Sequence, residues 1–212
     1  QGAAIKVQTI IPKGVAGFNP VAPYSQDFEK AKRLLAEAGY PDGFTVKLTT
    51  PATIAQIPTA DIAAKIKSDL ANIGINAEIE LLTYAELLTK YRAQSLEMVI
   101  GRWGSDYADP DANAKPFAHC NTTGPEATVK QLAWRNMYVN AYTTELVEKA
   151  AKELDTKKRM EYYKEITDII LDKGPFVILY QLLNQRAVRT YVEGLVVSPL
   201  TLEDFSVIRK MP

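Results

Sequence analysis

The pattern of apolar and polar residues changes abruptly within residues 96–111. The run from Leu96 to Ile100 is apolar and rich in β-formers, which predicts a strand over 96–101 that is buried on both faces. Glycines, a proline, three aspartates and two large aromatics follow directly, a composition typical of a loop. Ligands of open α/β sheets bind beyond the carboxyl ends of the strands. We therefore expect the functional site in this loop.

Helical and strand periods alternate before this stretch. The predicted helices run from after Ser25 to Gly39, from Thr59 or Asp61 to Gly74, and from Tyr84 to about Arg92. The predicted strands cover residues 44–49, 75–82 and 96–101. The order strand, helix, strand, helix, strand predicts a layered α/β domain with right-handed crossovers. Residues 1–23, interrupted by prolines and glycines, predict an extended connecting segment.

The second half of the chain begins irregularly. Residues 112–142 lack a sustained period, and a long irregular segment in a compact domain is more often functional than idle. Two helices are predicted at about 144–154 and 157–171, followed by an apolar strand over 176–183. The buried stripe of the second helix is Met160, Tyr163, Ile166 and Ile170.

These elements predict a three-layer α/β/α fold. Its sheet should hold the strands at 44–49, 75–82, 96–101 and 176–183. Helices are expected on both faces, because the apolar runs of the last two strands need cover on both sides.

Composition and charge narrow the classes of partner. The chain has 212 residues, of which 47% are apolar and 24% charged, as in an ordinary soluble globular protein. Lys+Arg and Asp+Glu are equal at 25 each, so no global field favours nucleic acid or an anionic membrane surface. No apolar run approaches the length of about 18 residues that spans a bilayer, and we expect no membrane-spanning segment. The single cysteine excludes an internal disulfide.

Neither nucleophilic nor metal chemistry is favoured by the motifs. His119 and Cys120 are adjacent, and neighbouring side chains usually point apart, so we do not expect a catalytic dyad. We expect a partly exposed loop histidine and a small, buried cysteine instead. The set Asp106, Asp109, Asp111 and Asn113 resembles a calcium loop only superficially. A proline interrupts it, and its sharp-turn glycine and closing glutamate are missing. We therefore expect no catalytic residue, no metal and no cofactor, although no spacing excludes an acid–base pair of carboxylates near Asp106.

Three aromatic residues bear on ligand binding: Trp103, Tyr107 and Trp134. Core packing and a cleft wall both remain open for Trp103, and its place between two glycines favours the cleft. Asp106 would then bring a fixed negative charge beside aromatic walls.

Four motifs, in order along nearly the whole chain, carry a family resemblance. They are YSQDFEKAKRLLAEAGYPDG at residues 24–43, DLANIGI at 69–75, WGSDYADPD at 103–111 and VEGLVVSPL at 192–200. Together they resemble the carboxyl-terminal lobe of the extracytoplasmic solute-binding proteins, family 5, that serve ABC importers of peptides, nickel and opines. The resemblance implies a periplasmic-binding-protein-like lobe (type II, cluster C) with a mixed sheet.

The resemblance also implies a domain organisation and roles for single residues. Residues 1–183 would form the second lobe, and the tail at 184–212 would pack on a first lobe that is absent here. The aspartate that aligns with Asp106 takes the α-amino group of the ligand in peptide-binding relatives, and the tryptophan that aligns with Trp103 lines the pocket. Some dipeptide-binding relatives carry a cysteine where Arg135 stands. Arg135 would therefore offer a guanidinium to the cleft in place of a disulfide.

The leading hypothesis is thus a non-enzymatic, periplasmic substrate-binding component of an ABC importer. It would capture a peptide or similar small solute between two lobes and deliver it to the permease. The expected ligand-binding residues are Trp103, Asp106, Tyr107, Trp134 and Arg135. Two alternatives remain: a small α/β hydrolase-like enzyme that uses carboxylates near Asp106, and a ligand-sensing module built on the same lobe.

Overall fold

The computed structural model describes residues 4–20, 24–54, 57–183, 185–196 and 205–211. The strands are β1 Ala4–Lys6, β2 Phe44–Pro51, β3 Ile75–Leu82, β4 Met98–Val99, β5 Tyr180–Leu182, β6 Val192–Glu193 and β7 Arg209–Lys210. The helices are α1 Phe28–Glu37, α2 Thr59–Ala71, α3 Tyr84–Arg92, α4 Asp111–Ala118, α5 Leu132–Arg135, α6 Ala141–Lys152 and α7 Thr156–Lys173. The chain divides into a sheet unit, Tyr24–Trp103, and a helical unit, Gln1–Pro23 with Gly104–Pro212.

A parallel three-stranded sheet forms the centre of the sheet unit. Its order is β3-β2-β4, with Leu48 of β2 opposite Ile79 of β3 and Met98 of β4. The predicted order strand, helix, strand, helix, strand is confirmed from β2 to β4. Because the crossover from β2 to β3 and the crossover from β3 to β4 run in opposite directions across the sheet, right-handed connections place α2 and α3 on opposite faces.

Side-chain contacts identify these two faces. On one face, Ala63 of α2 packs with Leu48, Ala77 and Ile100 in a buried cluster. On the other, Lys90 of α3 reaches Glu80 of β3 at 3.2 Å, and Glu80 accepts a hydrogen bond from Thr49 of β2. The sheet unit therefore has the predicted three α/β/α layers.

The predicted strand at 96–101 is wrong in length and in position. Only Met98 and Val99 pair as a strand, both half-buried, and β4 lies at an edge of the three-stranded sheet. Glu97 ends the pairing on one side, because its carboxylate accepts the Lys47 N–H at 2.7 Å. Ile100 makes one further backbone bond, to Thr49, before the chain leaves the sheet.

The predicted strand at 176–183 does not belong to this sheet either. Its strand is confined to β5, which pairs antiparallel with β1 in the helical unit. Phe176 instead packs edge to face on Phe117, and Val177 is 83% exposed. The apolar run thus divides between core and solvent instead of forming one buried strand.

Helices α4, α6 and α7 build the core of the helical unit. The predicted stripe of α7 is confirmed at Tyr163, Ile166 and Ile170, which are fully buried. The amino-terminal segment, for which the sequence predicts an extended connection, contributes β1 and the buried apolar residues Ile10, Ile11 and Val15. The Asn113 side chain of α4 donates a hydrogen bond to the carbonyl of Ile10 and so fixes this segment on α4.

The described part of the tail forms a small antiparallel pair, β6 with β7. Asn184 and residues 197–204, which include part of the predicted tail and of the fourth motif, lie outside the described residues.

Candidate functional site at the carboxyl end of the sheet

Strand order reverses at β2, so the switch point of this sheet lies at the carboxyl ends of β2 and β4. Such a switch point is the usual ligand position in open α/β sheets. Strand β2 ends at Pro51 and is followed by Ala52, while Gly101 and Arg102, both exposed, follow β4. Trp103 is half-buried in the sheet unit.

Sequence reasoning missed the contribution of the loop after β2. The Ile54 and Ile57 backbones exchange two hydrogen bonds, at 3.0 and 2.9 Å, and the Thr59 hydroxyl donates to the carbonyl of Pro51. This loop is therefore shaped by its own bonds. Pro51 at the end of a predicted strand was the available signal, but only the pairing order shows that β2 is the neighbour of β4.

The Asp106 side chain is exposed in the helical unit. Among the described residues, no hydrogen bond or ion pair engages its carboxylate. Tyr107 is also exposed, and its hydroxyl donates to Asp111 at 3.3 Å. Burial, and then the Asp111 carboxylate, raise the pKa of Tyr107, so its hydroxyl stays protonated at neutral pH.

Asp109, and not Asp106, shapes this loop. Its carboxylate accepts two hydrogen bonds from the Arg159 guanidinium, at 2.9 and 2.8 Å, and one from the Asp111 N–H at 2.9 Å. Burial alone would raise the pKa of Asp109, but Arg159 and the Asp111 N–H together hold it below its usual range. The negative charge of Asp109 is thus compensated within the protein.

Trp134 is buried at 8% exposure, where it packs with Cys120 and Ala133. Its indole Nε1–H donates to the carbonyl of Gly124 at 3.1 Å, and Lys130 lies over the ring. Cys120 follows the carboxyl end of α4, whereas Asp106 and Tyr107 precede its amino end. An eight-residue helix is about 12 Å long, so Trp134 lies towards the opposite end of α4 from Asp106.

Arg135, the neighbour of Trp134, lies half-buried in the single turn of α5. The guanidinium that the family resemblance implies for the cleft thus belongs to the short helix that also carries Trp134. Its role towards a ligand stays a prediction.

His119 and Cys120 do not form a nucleophilic pair. His119 is buried, not partly exposed as predicted, because its Nε2 lies 3.2 Å from the Glu148 carboxylate on α6. The Cys120 thiol donates to the carbonyl of Thr122 at 3.2 Å, and burial raises the pKa of this thiol. A protonated, buried thiol is a poor nucleophile.

Three of the four side chains in the calcium-like set, all except Asp106, contact protein partners, among them Asp111, which accepts the Tyr107 hydroxyl. Asp109 binds Arg159, and the Asn113 amide binds Ser105 and Ile10. Within the described ranges, no group of three or more His, Cys, Asp or Glu side chains converges as a metal site. The same part of the chain contains no helix long and apolar enough to cross a membrane.

Acid is expected to weaken the Asp109–Arg159 pair. Because the folded-state pKa of Asp109 is lowered, the pair stabilises the fold above the unfolded pKa of about 3.9. This stabilisation is lost as the pH falls through the lower folded value. The difference in free energy of unfolding between wild type and Asp109→Asn should therefore be larger at about pH 7 than at about pH 3. Urea unfolding at both pH values measures it, and a difference independent of pH would contradict an ionised Asp109 in the pair.

Comparison with known proteins places the chain in a family. Residues 1–125 match the family model described as "Bacterial extracellular solute-binding proteins, family 5 Middle". The dipeptide-binding protein of Escherichia coli K12 is 29% identical over 97% of this chain and 38% of its own length. HbpA2 from Haemophilus parasuis superposes with a TM-score of 0.84 at 26% identity, over all of this chain and 41% of its own. The DppA protein of Helicobacter pylori, solved with the peptide STSA, gives 0.77 at 25% identity, over all of this chain and 40% of its own.

The chain thus spans about two fifths of the length of these relatives. The family-model match covers more than half of the chain, and the fold agrees with it along the whole chain. This chain belongs to the bacterial extracellular solute-binding proteins, family 5.

Proposed function

We propose that this chain is part of the substrate-binding component of an ABC import system on the extracytoplasmic side of the membrane. The component captures a peptide or similar small solute between two lobes and delivers it to the permease. The names of the relatives support a peptide as the solute class, since they include a dipeptide-binding protein and a structure with a bound peptide.

One observation carries the proposal: Asp106 is an exposed carboxylate without a described partner, whereas nearby Asp109 is compensated by Arg159. A carboxylate of this kind matches the α-ammonium group of a peptide, and charge-assisted hydrogen bonds of this type are the strong ones. The exposed Tyr107 ring next to it supplies apolar surface for a side chain of the solute.

The hydrolase alternative gains no support from the same loop. An acid–base pair of carboxylates needs one group with a raised pKa, as in two carboxylates that work at neutral pH. Asp109 shows the opposite shift, and the Arg159 bonds occupy both of its oxygens. This favours binding without turnover.

The remaining lobe assignments belong to the same proposal. Residues 1–183 act as the second lobe, and the tail at 184–212 packs on the first lobe. Trp103 and Arg135 each contact the solute, as the family resemblance implies, whereas the burial of Trp134 favours a packing role for that residue. Two-lobed binding proteins enclose their ligand by hinge closure, so one lobe alone loses half of the enclosing surface. We therefore expect weak binding by this chain in isolation.

A titration monitored by amide chemical shifts in NMR tests the proposal. The probes are dialanine and the peptide Ser-Thr-Ser-Ala, each with a free or an acetylated amino terminus, and the tighter of the two free peptides is the probe peptide below. The free peptides should shift the amides of Asp106 and Tyr107 with a dissociation constant in the millimolar range. Mass spectrometry should recover the peptides intact. Shifts that are equally strong with the acetylated peptides, or cleavage of the peptides, would overturn the proposal.

A further inference from the structure

Arg159 lies at the centre of a contact network between α7, α6 and the loop that carries Asp106. It lies one helical turn before Tyr163, so both side chains share one face of α7. Its Nε–H donates to the carbonyl of Ala150 at 3.0 Å, one of the carbonyls that the last turn of α6 leaves without a helical partner. Its guanidinium also donates to the Tyr163 hydroxyl at 3.0 Å and lies over the Tyr163 ring.

These contacts fix the orientation of the guanidinium independently of its contact with the loop. Tyr163 is fully buried, and burial raises its pKa to about 12, so its hydroxyl remains a neutral acceptor. The other edge of the guanidinium faces Asp109 with two parallel hydrogen bonds. A planar fork of this kind sets an orientation that the point charge of a lysine does not.

Asp109 transmits this orientation to the loop backbone on both sides. Its carboxylate accepts the Asp111 N–H, and its own N–H donates to the carbonyl of Tyr107 at 2.9 Å. Its carbonyl accepts the N–H of Ala112 at 3.1 Å, at the start of α4. The backbone on either side is therefore tied to Asp109, through its own backbone and its carboxylate, and that carboxylate is tied to Arg159.

We propose that Arg159 is a positioning residue for solute binding: through its two bonds to Asp109 it holds residues 105–111 in the shape that presents Asp106 to the ammonium group of the solute. This inference rests on the proposed function. Compensation of Asp109 also removes a second carboxylate that would compete for the same cation. Of these two carboxylates, Asp106 is then the one that remains available to the solute.

The double variant Asp109→Asn/Arg159→Gln tests this role. It removes one negative and one positive charge, so the net charge is unchanged while the forked pair is lost. The matched control is Lys164→Gln/Asp168→Asn, which removes an exposed pair of 2.6 Å on the same helix. Hydrogen exchange of the loop amides, at residues 105–109 and 111, and affinity for the probe peptide are measured for both variants and for wild type.

The test variant should exchange these amides at least about tenfold faster and bind the probe peptide about tenfold more weakly. Amides of the sheet unit should be unchanged, and the control should match wild type in every readout. The acetylated peptide distinguishes positioning from a general loss of structure, because its weak binding should not fall further. Arg159→Lys, which keeps the charge without the fork, should recover only part of the loss.

Failure of this inference is separable from failure of the proposed function. If wild type binds the probe peptide and the double variant binds it equally well, the positioning role is overturned. Full recovery by Arg159→Lys would overturn it as well. If wild type binds no peptide, the proposed function fails, and the loop amides then decide: unchanged exchange in the double variant overturns the positioning of the loop by Arg159, and faster exchange supports it.

Discussion

Replacing Trp134 by alanine is expected to lower the free energy of unfolding of the helical unit by about 3–5 kcal/mol, the range for a buried large aromatic side chain. Trp134 is 8% exposed, packs on Cys120 and Ala133, and donates its Nε1–H to Gly124. Removing the ring leaves a cavity and removes one of the two hydrogen bonds that the Gly124 carbonyl accepts, the other coming from the Ala127 N–H. Urea unfolding followed by circular dichroism measures the loss.

Two variants serve as controls for this prediction. Trp134→Phe keeps most of the apolar volume and loses one hydrogen bond, so it should cost clearly less than the alanine variant. Leu154→Ala should change stability by less than about 0.5 kcal/mol, because Leu154 is 96% exposed. A Trp134→Ala protein as stable as wild type but deficient in peptide binding would contradict the packing role and favour a ligand contact.

Asp106→Asn is expected to weaken binding of the probe peptide by roughly 10- to 150-fold, since a hydrogen bond to a charged group contributes about 1.5–3 kcal/mol. The substitution keeps the shape of the side chain and removes its charge. Because no described residue binds the Asp106 carboxylate, the fold should be unaffected. NMR titration gives the affinity, and urea unfolding confirms the fold.

The control for this variant is Asp168→Asn, which removes an exposed carboxylate on α7, where it pairs with Lys164. It should bind the probe peptide as wild type does. Unchanged affinity of Asp106→Asn, with the fold intact, would leave Asp106 as a loop residue without a ligand role.

Local periodicity was sufficient to predict the layered sheet unit. The alternation in β2 and β3 and the helical spacing in α2 are properties of short segments, and the structure confirms these elements. Pairing is not a local property. The run at 96–101 is apolar whether the strand is central or at an edge, so its edge position could not be predicted from the sequence. The strand predicted at 176–183 was wrong for the same reason, since Val177 is apolar and yet 83% exposed.

The candidate loop could be predicted from the sequence, but the different roles of its aspartates could not. Composition marked residues 103–111 as a polar, aromatic loop after a strand. Which aspartate is compensated depends on Arg159, which lies 50 positions away from Asp109 in the sequence. The burial of His119 likewise depends on its contact with Glu148, 29 positions away. Such long-range pairs decide which polar groups remain available to a solute.

The most direct test of the central claim is a cycle of four affinities: wild type and Asp106→Asn, each with the probe peptide and with its amino-acetylated form. If Asp106 binds the ammonium group of the solute, the substitution and the acetylation remove the same interaction. Either change alone should weaken binding by roughly 10- to 150-fold, and the two together should cost little more than one. Fully additive losses, in which the substitution weakens the binding of both peptides by the same factor, would contradict the account.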